Sequence, residues 1–265
     1  MTGGRGYVGR YLSQLGVADL DCDVTQPESV EESFDRNKPD IVLHLASKSD
    51  VDFCEKVKNE KIVIATNTRG TFHVASAAEK FGCGVVLISS GHVFKGDKWV
   101  GGYKELSTPA PINFYGMTKL AAEGFAEVFP NLKIIRTSYI FDKQRLRTHL
   151  SSLEDCDSVE FPTFIKRSFM YLHHFSLSLL EYAERFLAMP KILHLSGGDT
   201  VSWHEFMKYL AYETLNNPYM IVPRKKDLLD RYAPRGHNLG LNTSLSANLG
   251  FKQYSYKEGI QDMLI

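Results

Sequence analysis

The chain has 265 residues, 43% of them hydrophobic, enough for one large α/β domain or a large domain with a smaller partner. Lys+Arg and Asp+Glu are equal at 31 each; no net field draws nucleic acid or an anionic membrane, and no basic tract with interleaved aromatics marks a nucleic-acid surface. Cys22, Cys54, Cys83 and Cys156 lack any Cys-x-x-Cys spacing and read as reduced thiols, no apolar run approaches the roughly 20 residues of a membrane helix, and no signal peptide precedes the first motif, so the expectation is a soluble cytoplasmic protein.

The first motif is Thr2-Gly3-Gly4-Arg5-Gly6-Tyr7-Val8-Gly9, in which Gly3, Gly6 and Gly9 can form a tight phosphate-approaching turn into a helix over residues 7–15. Such a turn normally follows an apolar strand, buried on both faces in the middle of a parallel sheet. Only Met1 precedes Thr2, so that strand is missing or another segment fills its place. Residues 17–25 read as a short strand and loop. A Rossmann unit binds the adenine ribose with an acid about 20 positions beyond the glycines; Asp19 and Asp21 lie only 10 and 12 beyond Gly9. Arg5 is placed to meet a 2′-phosphate instead, which tilts a dinucleotide reading towards NADP over NAD.

Thr25, three residues before Glu28 and followed by Pro27, marks a helix start. Residues 40–47 form an apolar strand in which His44 reads as a satisfied core histidine. Asn67 is an N-cap for a helix over 68–80 that Gly82 can close. Residues 85–90 are a buried strand ending in Ser89 and Ser90, and a hydroxyl at a strand's C-terminal end points into the crevice where α/β sheets bind ligands. Tyr115 and Lys119 follow at a spacing of four on a helix over 116–129, so phenol and ammonium share one face. A free phenol ionises near 10, and acid–base work near neutrality asks for a lower value, which a neighbouring Lys and a cationic ring can supply.

Residues 132–139 are another buried strand, and strands alternating with helices predict an α/β fold, a Rossmann-like doubly wound parallel sheet. Beyond 139 the alternation weakens. Residues 144–157 read as polar helix and loop. His173 and His174 are adjacent, point in different directions and do not read as metal ligands. Ser202 and Glu205 have capping-box spacing, predicting a helix to Leu215 with Phe206, Tyr209 and Leu210 in its core. Arg231, Arg235 and His237 stand in a breaker-rich loop where guanidinium groups suit a diphosphate. Residues 1–140 are mainly an NAD(P)-binding unit. Residues 141–265 are mainly a small substrate-binding lobe, with elements returning to the first.

The glycine opening, the Ser90 strand end and Tyr115-x-x-x-Lys119, in this order, resemble the extended short-chain dehydrogenase/reductase superfamily. Within it, Lys38-Pro39-Asp40, Asp50-Val51-Asp52, Ile88 to Gly96, Pro111 to Leu120, Val201 to Phe206 and Leu241 to Ser244 resemble the dTDP-4-dehydrorhamnose reductase branch over nearly the whole chain. The resemblance implies NADP or NAD on Gly3, Arg5, Gly6, Tyr7, Val8 and Gly9, the adenine beside Asp23 and Val24, and the cofactor passing Ala46 and Ser47. Asn67 is then to hold active-site backbone or a relay water. It implies catalysis by Ser90, Tyr115 and Lys119, with Lys119 also on the nicotinamide ribose, and a nucleotide-sugar substrate met by Ser90, His92, Tyr115, Arg167 and Arg235. Helices over 68–80 and 116–129 are where family members dimerise, so a homodimer is expected. Gly91 and His92 stand where the reductases usually carry Asp and Tyr and where 4,6-dehydratases place Asp and Glu, and Gly236 replaces a proline after Arg235. The implied activity is NAD(P)H-dependent reduction of a 4-keto-6-deoxy nucleotide-sugar. The alternatives are a nucleotide-sugar 4-epimerase, which the 167–172 stretch resembles somewhat more, and a non-catalytic NAD(P)-binding regulatory subunit.

Overall fold

A computed structural model describes residues 1–98, 102–224 and 232–265. In chain order the elements are α1 (Tyr7–Gln14), α2 (Pro27–Asn37), β1 (Ile41–His44), α3 (Val51–Glu55), α4 (Glu60–Ile64), α5 (Gly70–Phe81), β2 (Gly84–Ser90), α6 (Phe114–Glu123), β3 (Leu132–Thr137), β4 (Tyr139–Phe141) and α7 (Lys143–Asp155). There follow β5 (Val159–Pro162), β6 (Lys166–Arg167), β7 (Phe169–Tyr171), α8 (Leu172–Glu184), β8 (Ile192–His194), β9 (Val201–Ser202), α9 (Trp203–Leu215), β10 (Ile221–Arg224), α10 (Ser244–Asn248) and α11 (Tyr256–Leu264).

Strands β1-β2-β3-β8 form a parallel sheet in that order. Successive strand residues face opposite sides, and both sides are apolar. Val42, Val85, Leu87 and Ile134 meet Val30 and Phe34 of α2 and Val74 and Ala78 of α5. Leu43, Val86, Ile135 and Leu193 meet Leu12 of α1 and Phe175, Leu179 and Tyr182 of α8. Helices on both faces make the fold α/β and Rossmann-like, as the alternation predicts. A third core, in which Phe169 stacks on Phe206 at 4.1 Å, gathers α7, α9 and α11.

The position before the glycine turn is held by Met1 and Thr2. Thr2 bridges His44 in parallel, its N–H donating to Leu43 O at 3.0 Å, and Met1 O accepts from Leu20 N at 2.8 Å. Residues 17–25 are not a strand, because Asp21 turns into the left-handed region at φ 44° and ends the extended run. Thr25 does not cap α2: its hydroxyl donates to Asp23 at 2.8 Å, and Gln26 is the N-cap without a side-chain bond. His44 is the predicted core histidine, its ring nitrogens 2.7 Å from the Thr2 hydroxyl and 3.1 Å from that of Thr71, and burial pulls its pKa down to about 3. The Ser202–Glu205 capping box forms as read. The predicted helix over 68–80 is longer: α4 runs through a π-helical turn, Ala65–Arg69, into α5, so Asn67 lies inside a helix rather than at its cap. That helix closes at Gly82 in the left-handed conformation.

α6 is anchored on the sheet by a buried ion pair. Arg136 of β3 donates to Glu123 through Nε at 3.0 Å and Nη2 at 2.6 Å, with both side chains at most 5% exposed, and Ser89 of β2 donates to the same carboxylate. A buried guanidinium stripped of its partner is left uncompensated. Glu123→Ala is expected to lower unfolding free energy by about 3–5 kcal/mol in chemical denaturation, and the Glu123→Ala/Arg136→Met pair to lose less than the single change.

Candidate active site

The C-terminal ends of β1, β2 and β3 lie along one edge of the parallel sheet, the side on which such sheets bind ligands in a crevice. Gly3 takes φ +75°, and a Cβ added there would stand 2.7 Å from Ala46 N. A Cβ on Gly9 would stand 2.4 Å from Gly3 O, so the turn is closed to side chains. α1 starts at Gly6 with no side-chain cap and no acidic residue in its first turn. Its first amide groups are therefore left for an anion. Arg5 extends into solvent, paired with Asp21 at 3.1 Å, and Gly4 N donates to Asp19 at 3.3 Å. Tyr7 and Val8 are only partly buried, both against the α1/α8 core. Asp23 is tied to Thr25, whose N–H and hydroxyl hold its carboxyl below the usual range. The Val24 side chain is core, packed on the α5 side of the sheet.

Across the crevice, α6 starts at Asn113, whose Oδ1 accepts from Gly116 N at 2.8 Å. The spacing of four puts Tyr115 and Lys119 on one face of α6, both buried; the phenol meets Ser90 at the end of β2, and Lys119 stands near His44 of β1 and Glu123. Ser90 accepts from His92 N at 3.2 Å, and its hydroxyl lies close enough to the phenol to favour ionisation. Burial outweighs that and pushes Tyr115 up to about 12. Lys119 does not act on the phenol as the spacing predicts: burial draws it down to about 8, Glu123 opposes this, and its ammonium makes no hydrogen bond among the described residues. In this site burial sets the phenol's state, favouring the uncharged form.

The π-helical turn aims Asn67 at the same place. Its Oδ1 accepts from Lys48 N at 2.7 Å and Ser47 Oγ at 3.1 Å, and its Nδ2 donates to Lys48 O at 3.0 Å and Thr118 Oγ1 at 3.1 Å. The backbone after β1 is thereby locked to α6. His92 stands edge-on to Tyr115, with ring centroids 5.6 Å apart at 74°.

The arginines are used differently from the reading above. Arg235 makes a bidentate pair with Asp52 at 2.9 Å, and the same carboxylate accepts from Ala233 N, so this guanidinium straps its loop to α3. Arg167 donates to the carbonyls of Lys166 at 2.6 Å and His237 at 3.1 Å. Arg231 lies outside the described residues. Sequence reasoning missed Glu55, which accepts from Phe114 N at 2.8 Å, and Arg145, whose guanidinium lies over Tyr7 at 5.2 Å and Tyr139 at 4.8 Å. It also missed Asn113, although Asn before a helix is a readable cap signal.

A crevice of this build on such a sheet defines a Rossmann-like α/β protein. The family model described as RmlD substrate binding domain matches residues 1–265, and the chain belongs to that family. It is 31% identical over 208 residues to the dTDP-4-dehydrorhamnose reductase of Sinorhizobium fredii, covering 72% of this chain and 66% of the relative. It is 29% identical over 156 residues to that of Mycobacterium tuberculosis, covering 53% and 49%. The matches thus span about half to two thirds of the length of these curated relatives. Among solved structures, a dTDP-4-dehydrorhamnose reductase from Bacillus anthracis in complex with NADP superposes with a TM-score of 0.89 at 25% identity, over 99% of this chain and 96% of that one. No helix among the described residues is long and apolar enough to cross a membrane.

Replacing Asn113 by Ala removes the cap of α6 and is expected to lower stability by about 1–2 kcal/mol, read from the midpoint of urea unfolding; an unmoved midpoint would show that α6 starts correctly without it.

Proposed function

We propose that the chain is an NAD(P)H-dependent reductase of a 4-keto-6-deoxy nucleotide-sugar. The observation that carries this reading is the buried Tyr115 phenol beside Ser90 at the end of β2, held in its protonated form. Reduction of a ketone needs a proton at the oxygen as hydride reaches the carbon, and a phenol with a raised pKa is loaded with that proton at neutral pH.

The residues present fit a dinucleotide. The glycine turn has no room for a Cβ, the first turn of α1 offers unspent amides, and the exposed Arg5 suits the 2′-phosphate of NADP. Bound there, the reduced nicotinamide supplies the hydride. Ser90 and Tyr115 hold the C4 carbonyl oxygen; Tyr115 gives it the proton, yielding the alcohol, and recovers one from solvent. Lys119, without a hydrogen bond among the described residues, is left to hold the nicotinamide ribose. Asn67 fixes the backbone at Ser47 and Lys48 along the cofactor's path. The relatives named above are reductases, so the 4-epimerase reading is not favoured.

Tyr115→Phe is expected to cut kcat on a dTDP-4-keto-6-deoxy sugar by about 10² to 10⁴ with NADPH binding intact, and a variant as fast as the parent would sink the assignment. Lys119 is charged below about 8 and loses its proton above it, so activity should hold through neutrality and fall as pH rises through about 8. In Lys119→Arg, whose charge persists, that alkaline fall should move upward. Fluorescence titration with NADPH and NADH should show binding of at least one and its loss in Gly9→Val. A regulatory subunit would bind the dinucleotide and turn over no keto-sugar.

A further inference from the structure

The hydrogen bonds around His92 determine which of its ring nitrogens carries the proton. Asn113 Oδ1 accepts from Gly116 N at 2.8 Å, which fixes the amide so that Nδ2 faces the other way. Nδ2 has two hydrogens and two partners: His92 Nδ1 at 3.1 Å and Pro234 O at 3.0 Å. A carbonyl can only accept, and an amide NH₂ can only donate. His92 Nδ1 therefore presents its lone pair, and the ring proton sits on Nε2. Nε2 has no hydrogen-bond partner among the described residues, and it is not among their buried unpaired polar atoms, so solvent or a ligand can reach it.

The surroundings keep this ring uncharged. Burial, the largest influence, disfavours the imidazolium, and Arg167 of β6 and Arg235 of the strapped loop add positive potential, so that its pKa falls to about 3, while Tyr115 of α6 packs against the ring in a T-shaped contact. His92 is thus a neutral donor with no acceptor left, beside Ser90 and Tyr115. The tyrosine usual here in the reductase branch can both donate and accept; a histidine in this tautomer can only donate.

We propose that His92 Nε2–H donates a hydrogen bond to an uncharged oxygen of the sugar ring next to the reacting carbonyl, making His92 a substrate-binding residue that selects an acceptor at that position. The proposal rests on the reductase reading for its substrate, whereas the tautomer rests on the protein alone. A neutral N–H matches a hydroxyl, keto or ring oxygen; the anionic diphosphate calls for the charged donors of Arg or Lys.

The first test needs no substrate. Long-range ¹H–¹⁵N correlation spectra of the full chain, with the His92 signals assigned by their loss in His92→Gln, should show the Nε2–H tautomer, with no protonation between pH 8 and 5. An Nδ1–H tautomer, or titration near 6.5, overturns the proposal. The second test is kinetic. His92→Phe should lower kcat/KM for the keto-sugar about 10- to 100-fold while NADPH binding is unchanged, and His92→Gln, whose amide can donate from the same reach, should recover most of that loss. Equal losses in Phe and Gln variants that still bind NADPH, or no loss in Phe, overturn it as well. If the parent chain shows the Nε2–H tautomer and reduces no keto-sugar, it is the reductase reading that falls, and the substrate assigned to His92 falls with it.

Discussion

One carboxamide, that of Asn113, orders the crevice, because all of its hydrogen-bonding groups but one lone pair are committed to three separate pieces of chain. Its oxygen starts α6 at Gly116, and its nitrogen holds the turn after β2 through His92 and the C-terminal loop through Pro234. The start of α6 sets the phase of every residue behind it, so the cap decides where Tyr115, Lys119 and Glu123 point. Glu55 backs it up by accepting from Phe114 N one residue on, and Asp52 holds the loop carrying Pro234 through Arg235 and Ala233. α3 thus serves as a bracket for both walls of the site.

Burial then does two opposite things to the pair that α6 delivers. It raises the phenol, which is neutral when protonated, and lowers the ammonium, which is neutral when deprotonated. A protonated Tyr115 suits proton donation, and a Lys119 poised near neutrality can still answer to charge brought by a ligand. Glu123, one turn further along, keeps Lys119 from falling lower, yet its carboxylate is already shared by Arg136 and Ser89. The cleft therefore keeps its charges in reserve: the strongest ion pair is spent on holding α6 to the sheet.

What could be read from the sequence follows from locality. The glycine turn, the Ser90 strand end, the placement of Tyr115 and Lys119 on one helix and the Ser202–Glu205 box each lie within a few residues and follow from backbone periodicity, and all four form, although the lysine's expected effect on the phenol does not follow from the spacing. The sheet alternation was equally legible, as Val42 against Leu43 and Ile134 against Ile135 show. Residues 17–25 misled because their apolar spacing fits a strand, while the left-handed turn at Asp21 shows no local signature beyond an aspartate's tolerance for it. Arg235 carried the chemistry of a phosphate ligand, but its partner Asp52 is 183 positions away, and no spacing rule reaches that far. Asn67 looked like a cap because asparagine before a helical stretch usually is one; the helix in fact arrives from behind it.

That π-helical turn holds one residue more than an α-helical turn would, and each residue of a helix advances its phase by about 100°. Ahead of it Val63 packs with Cys54 and Tyr115; behind it Val74 and Ala78 face the sheet, and Asn67 sits where the two settings meet. No exchange of side chains reproduces this arrangement, because it depends on length. Removing one residue between 65 and 69 would leave a better helix by hydrogen-bond count, yet turn α5's apolar face away from β2 or swing the amide out of the crevice. Through this stretch the number of residues is therefore under tighter constraint than their identity, and a chain lacking the extra residue would have to secure Ser47 and Lys48 by other means.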